Sequence, residues 1–285
     1  MLTIVGAVFV LVCVIGGYLM GHGNLSILFQ PAELVIIFGA AIGAFIIASP
    51  PKVIKLVLGG VKNILSGKAY SKDDYMNTLI MLSEVFSKIR KEGLVSIEAD
   101  VDDPEKSPIF SKYPKFLANH HAVTLLTDTL RTVMTTSIAP YELESLIETE
   151  LDSHHEELMI PSHSINTVAD GLPGLGIVAA VMGIVITMGK ISEPPEVLGH
   201  HVGAALVGTF LGVLSCYGFV GPMAKNLEHI ANEEKEFMNI FKIALVAFVG
   251  GAAPQIAVEF GRRGIPGNVR PSFIEVEEAL RQAKK

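Results

Sequence analysis

Tryptophan is absent from this 285-residue chain, cysteine occurs only twice, and no stretch concentrates positive charge. Each absence excludes something. Cys13 and Cys216 sit singly inside apolar runs, where a thiol behaves as a small buried hydrophobe, so neither a disulfide framework nor a cysteine metal site is expected. A net charge of -7 without a basic cluster argues against nucleic acid as the main partner. No GxxxxGK[ST] phosphate loop occurs, so nucleotide is not the expected energy source. The histidine pairs beginning at His120, His154 and His200 lack the i,i+4 spacing of helical metal ligands, and are read as solvated or capping residues. No cofactor and no enzymatic activity are expected.

What the chain has instead is apolar length. Half of its residues are hydrophobic, and several runs approach the roughly 20 residues that cross a bilayer as a helix. Four spans are expected: 2–20, 31–48, 171–188 and 202–222. The first has no Lys or Arg ahead of it and no small-residue cleavage site behind it, so it is read as a retained span. Of 22 basic residues only Lys190 lies in a turn joining two paired spans; the rest fall in 52–170 or 223–285. Positive residues stay on the cytoplasmic side, which puts both termini and the long middle segment inside.

The fold class expected is an all-α membrane protein. Residues 1–51 form one transmembrane hairpin, 52–170 a helical cytoplasmic domain, 171–222 a second hairpin, and 223–285 a helical cytoplasmic tail. Met76, Leu79, Leu82, Phe86 and Ile89 recur at three- and four-residue steps, a helical period. Further helices are expected at 122–134 and 142–158, the latter acidic on a solvated face. "PPKVIKLVLGGVKNIL" interleaves Lys52, Lys55 and Lys62 with aliphatics, as an interfacial helix would. "FKIALVAFVGGAAPQIAVEF" is read as a buried helix pair rather than a fifth span, because Lys242, Pro254, Gln255 and Glu259 interrupt it. Ser272 and Glu275 have capping-box spacing.

Within the spans, small residues recur at four-residue steps: Gly39 and Gly43, Gly176 and Ala180, then Ala204, Gly208 and Gly212. Such stripes let helices approach closely, within one subunit or along a pathway. No ionisable residue lies at mid-span; Glu33 and Asp170 stand at ends. Handling of protons normally requires an acid in the membrane, so the titrating carboxylate is expected from a partner helix, with this chain supplying the wall. Thr209 either faces that pathway or bonds back to its own helix. Pro173 and Pro222 each remove a backbone donor, near the start of one span and the end of the next. Antiparallel spans would put them at one membrane level, as a hinge or as markers of helix ends.

Four pieces, "QPAELVIIFGAAIGAFI", "LPGLGIVAAVMGIV", "HVGAALVGTFLGVLSCYGFVGPMA" and "IAVEFGRRGIPGNVRPSFIEVEE", resemble the MotA family of flagellar motor stator proteins, and the resemblance runs nearly end to end. It implies a pentameric ring around the single-span helices of two MotB subunits, which carry the proton-accepting aspartate. Ion flow would turn the ring in the bacterial inner membrane, and the cytoplasmic domain would engage FliG of the rotor. By position, Arg90 and Glu98 match the family's charged rotor contacts, and Pro173 and Pro222 its two functional prolines. Sodium-using relatives place threonine where Ala180 and Gly208 stand, and only Thr209 matches their polar set, which favours the proton. The related ExbB and TolQ energisers have one span before the cytoplasmic segment, where two are expected here. A passive scaffold or a stand-alone channel are the alternatives of another class.

Overall fold

The computed structural model describes residues 2–66 and 70–283, without side chains for 65 and 66. Among these the chain is all-α, with no strand. Four helical stretches are long and apolar enough to cross a membrane: Leu2–Met20, Leu25–Ala48, Pro140–Met188 and Pro195–Val249. The chain divides into two compact units, residues 1–68 with 158–230 and residues 69–157 with 231–285.

In the first unit, the span Leu2–Met20 buries no residue in this chain. Cys13 on it is therefore exposed, contrary to its reading as a buried hydrophobe. A helix apolar all round with no buried face is one turned to lipid or to a neighbouring subunit. The second span begins at Pro31, passes through a π-helical segment Val35–Gly39, and continues as Ala40–Ala48. The helix Pro51–Ser66 buries Val57 and Ile64 against Ile165, Ala224 and Leu227.

The last two spans meet backbone to backbone. A Cβ on Gly176 would lie 2.7 Å from the Gly208 carbonyl oxygen, and one on Gly212 would lie 2.6 Å from that of Leu172. Only glycine permits this, as in small-xxx-small helix pairs. By contrast, Gly39 and Gly43 have nothing within 4 Å of the Cβ position, so that stripe does no packing inside this chain.

The same contacts fix the register. Leu172 stands opposite Gly212, and Ser162 donates a buried 2.8 Å hydrogen bond to the Ala224 carbonyl. The two prolines are therefore not level. Pro222 lies ten residues past Gly212, about 15 Å along the helix at 1.5 Å per residue. The expectation of a shared level took Pro173 near the start of one span and Pro222 at the end of the next. In fact one helix runs from Pro140 to Met188 with Pro161 and Pro173 inside it, absorbing the helix expected at 142–158. Pro222 follows a π-helical segment, Ser215–Val220, whose wider turns accommodate a residue without a backbone donor.

The second unit folds on a water-soluble plan. The helices Lys72–Glu92 and His120–Thr135 enclose Leu79, Leu82, Phe86, Leu125 and Leu126 with Phe241, Ala244, Leu245, Ala257 and Val258. The last five residues come from the stretch considered as a fifth span. It instead turns at Gly251, φ 93°, and returns as the helix Pro254–Gly264. Capping boxes start two helices, Ser71 with Asp74 and, as its spacing predicts, Ser272 with Glu275. Tyr70 stacks on Phe237 at 4.0 Å between ring centroids, and its hydroxyl donates to Glu234, which also accepts from Asn119 at 2.8 Å.

His154 is not a solvated residue. Its ring lies 3.9 Å from that of His121, and its Nε2 is buried without a partner among the described residues. Burial first, and then the charge of His121, hold its imidazole below the ordinary histidine range. The unfolded chain takes up a proton near the ordinary value of about 6.5, whereas the folded site resists it. Stability is thus full above that value and falls as pH drops below it. Thermal unfolding of the solubilised protein should shift downward between about pH 7.5 and 5.5, and His154→Gln should flatten that shift.

Candidate functional site

Two regions carry chemistry, one in each unit. In the second unit, the helix Lys72–Glu92 ends at Gly93, φ 87°, and the chain turns through Leu94–Ile97 into the short helix Glu98–Asp102. Arg90 sits in the last turn of the first helix, and Glu98 opens the second, the ends at which the helix dipole favours each charge.

What holds this corner is Asp100. Its carboxylate is 2% exposed and takes the Lys88 ammonium at 2.6 Å on one oxygen and the Ser107 hydroxyl at 2.6 Å on the other. The Ser107 oxygen in turn accepts from the amides of Ile109 and Phe110 at 3.1 Å. The network ties the helix carrying Arg90 to the helix carrying Glu98. Arg90 and Glu98 are exposed, and neither has an ion-pair or side-chain hydrogen-bond partner among the described residues. Elsewhere in the unit Lys112 pairs with Glu84, Lys115 with Asp74, and Arg131 with Asp102 and Asp128, whereas Lys91 and Glu92 beside Arg90 are, like it, exposed and unpaired among the described residues. Burial pushes Tyr113 well up, and its hydroxyl donates to Glu84 at 2.9 Å.

In the first unit, the expected wall residues fall together. A Cβ on Gly208 would lie 3.0 Å from both the Ala179 Cβ and the Ala180 amide nitrogen, so the methyl that faces Gly208 is that of Ala179, and Ala180 meets it through its backbone. Thr209, half-buried, makes no hydrogen bond among the described residues, whereas Thr187 bonds back to the Gly183 carbonyl at 2.8 Å. Its hydroxyl is not spent on its own helix.

One residue was missed by sequence reasoning. Glu33, set down as the end of a span, is 7% exposed, and its Oε2 has no partner among the described residues. That oxygen lies 2.5 Å from where a Gly208 Cβ would be, and Oε1 3.5 Å from the Gly183 Cβ position. The available signal was an acid two residues inside a span, close to the small-residue stripes. Asp170 is different: it is exposed and accepts from Asn166 at 3.0 Å, one turn away. Pro173 is half-buried within its helix and Pro222 exposed at the start of Gly221–Val249.

No group of three or more metal-ligating side chains is present among the described residues. Asp100→Ala leaves Lys88 and Ser107 without their shared partner, and should cost the second unit about 3 kcal/mol of stability. Denaturant unfolding of the solubilised chain would show it, and a change at Arg90 should not produce it.

Residues 4–93 match the family model described as motility protein A N-terminal, and residues 118–240 that of the MotA/TolQ/ExbB proton channel family. Motility protein A of Escherichia coli K12 is 42% identical over 284 residues, spanning 100% of this chain and 96% of that one. Chemotaxis protein LafT of Vibrio parahaemolyticus is 36% identical, covering 96% of each. In fold, the chain is similar to the solved flagellar MotAB stator complex of Bacillus subtilis, with a TM-score of 0.77 at 22% identity over 96% of this chain and 100% of that one. The C. jejuni MotAB structure gives the same TM-score at 16% identity, over 95% and 98%.

Proposed function

The chain belongs to the motility protein A branch of the MotA/TolQ/ExbB proton channel family, and from that premise we propose that it is the ring-forming stator subunit of a bacterial flagellar motor. The observation that carries this is similarity along the whole chain, both membrane hairpins and the intervening segment included, to motility protein A. An ExbB or TolQ type energiser shares the second hairpin, but two spans precede the long segment here.

In this reading five copies surround the single-span helices of a MotB dimer in the inner membrane, with both termini and the long segment inside. The MotB acid takes up the coupling proton, and this chain lines its path with Ala180, Gly208 and Thr209. The arrangement makes chemical sense. A wall of methyl and glycine surfaces offers few oxygens to replace the hydration of sodium, while a hydroxyl at Thr209 can bond to water or to the partner's acid. A charge moving down the membrane potential releases roughly 2.3 kcal/mol per 100 mV, so the chain needs neither cofactor nor catalytic site of its own.

Arg90 and Glu98 are the contacts we assign to FliG. Their unpaired state on a pinned corner supports this, because a contact that forms and breaks at every step gains from charges with no internal partner to leave. Pro173 and Pro222 are assigned to conformational coupling as two separate weak points of the backbone ladder. Their different depths mean that they bend different parts of the helix pair.

Arg90→Glu should impair swimming while leaving membrane insertion and MotB binding intact, and a compensating reversal on FliG should restore part of it. Normal torque in the single variant would remove the rotor assignment. Pro173→Ala should assemble with MotB yet give less torque, measured on tethered cells; failure to assemble would make that proline a packing residue. Proton flux in vesicles should require MotB. Flux from this chain alone would instead mark it as a channel.

A further inference from the structure

The buried acid at Glu33 has no place in that mechanism, and its surroundings are unusual for a carboxylate. The hollow that receives it is made by residues without side chains or with single methyls: Gly183, Ala205, Gly208 and Ala179. No donor reaches Oε2, and the nearest hydroxyl on that face of the third span, Thr187, is engaged by its own helix. The titratable groups of the elements packed around it are Glu196, His200 and His201 on Pro195–Leu214, Lys190 and Glu193 in the preceding turn, and Cys216 in the π segment near Ile37. None of them hydrogen-bonds to Glu33, and the Lys190 ammonium lies 3.1 Å from His201 instead.

An ionised carboxylate buried among methyl groups without a donor is costly enough that such a group takes a proton instead. Nor does packing call for an acid here, since an aliphatic side chain would fill the same hollow without stranding a polar atom. The placement is specific. Glu33 lies two residues from Pro31, the start of its span, and Gly183 five residues, about 8 Å, from the end of its own, whereas Gly208 lies about 20 Å inside the helix Pro195–Leu214. It also touches Gly208, which meets the Ala179 methyl and the Ala180 amide nitrogen and adjoins Thr209. An acid pressed against the Gly208 backbone, with no donor on its Oε2, is placed to pass a proton along that small-residue face.

We propose that Glu33 is a proton-binding site supplied by this chain itself, which loads from the outer aqueous face and passes its proton along the Ala180, Gly208 and Thr209 wall. Loading joins one proton from water to the carboxylate and gives the neutral acid; unloading returns the carboxylate and hands the proton to the next acceptor. The site rests on the proton-driven reading above. It accompanies the partner's acid rather than replacing it, so losing it slows the cycle without stopping it.

The test uses the full complex with MotB in motile cells and in vesicles. Glu33→Gln keeps the shape of the side chain but cannot exchange a proton. It should assemble, lower proton flux and rotation speed severalfold, and flatten the dependence of speed on external pH. Gly208→Ala, which drives a methyl into the place of Oε2, should act in the same direction. Wild-type speed and pH profile in Glu33→Gln would overturn the site. If that variant does not assemble, infrared spectra of the wild-type complex bearing an amide in place of the MotB acid decide. A protonated-carboxyl band that shifts in Gly208→Ala supports the site, and its absence overturns it. Wild-type rotation that follows the sodium gradient instead would overturn the proton-driven reading, a result distinct from a normal Glu33→Gln.

Discussion

The close approach of the last two spans is the constraint on which the membrane unit depends. Between helices in lipid there is little hydrophobic driving force, since acyl chains are as apolar as leucine, and association comes from contact. Here that contact is backbone on backbone, with Gly176 against Gly208 and Gly212 against Leu172. Once those pairs are set, the register of both helices follows. Gly183 falls on Ala205, Ala179 faces Gly208, and Ser162 reaches the Ala224 carbonyl. The hollow that holds the Glu33 carboxyl is a by-product of the same small residues.

The second unit obeys different physics. Its core is a cluster of leucines, isoleucines and phenylalanines removed from water, where each large side chain buried contributes roughly 1.5 to 3 kcal/mol. The buried acid there is paired, Asp100 with Lys88 and Ser107. Arg90 and Glu98, like Lys91 and Glu92 between them, are charged, exposed and unpaired among the described residues, beside a corner tied by Asp100. Exposed ion pairs contribute little to stability, so leaving these two charges free costs the fold almost nothing. It leaves them available to a partner.

Much of this was legible in particular residues. The three- and four-residue recurrence from Met76 to Ile89 became the buried face of Lys72–Glu92, and the interruptions at Lys242 and Pro254 did mark a helix pair. Other features were not. The helix expected over 142–158 runs on through Pro161, because proline removes a single hydrogen bond and neighbouring packing can retain the rest. His154 read as a surface residue, but helix packing brings His121 onto its ring. Glu33 read as a polar marker at a span end, since sequence position gives depth along a helix and says nothing about which neighbour its face meets.

Composition and periodicity alone therefore determined the class: four apolar helices of spanning length, with a helical segment between the second and the third. These are properties of single segments, set by transfer free energy and by the 3.6-residue turn. Tertiary structure alone decided the register of the last two spans, the different depths of Pro173 and Pro222, and the burial of Glu33 beside Gly208. All three depend on which residue lies opposite which across two helices, and that is settled only when glycine backbones meet.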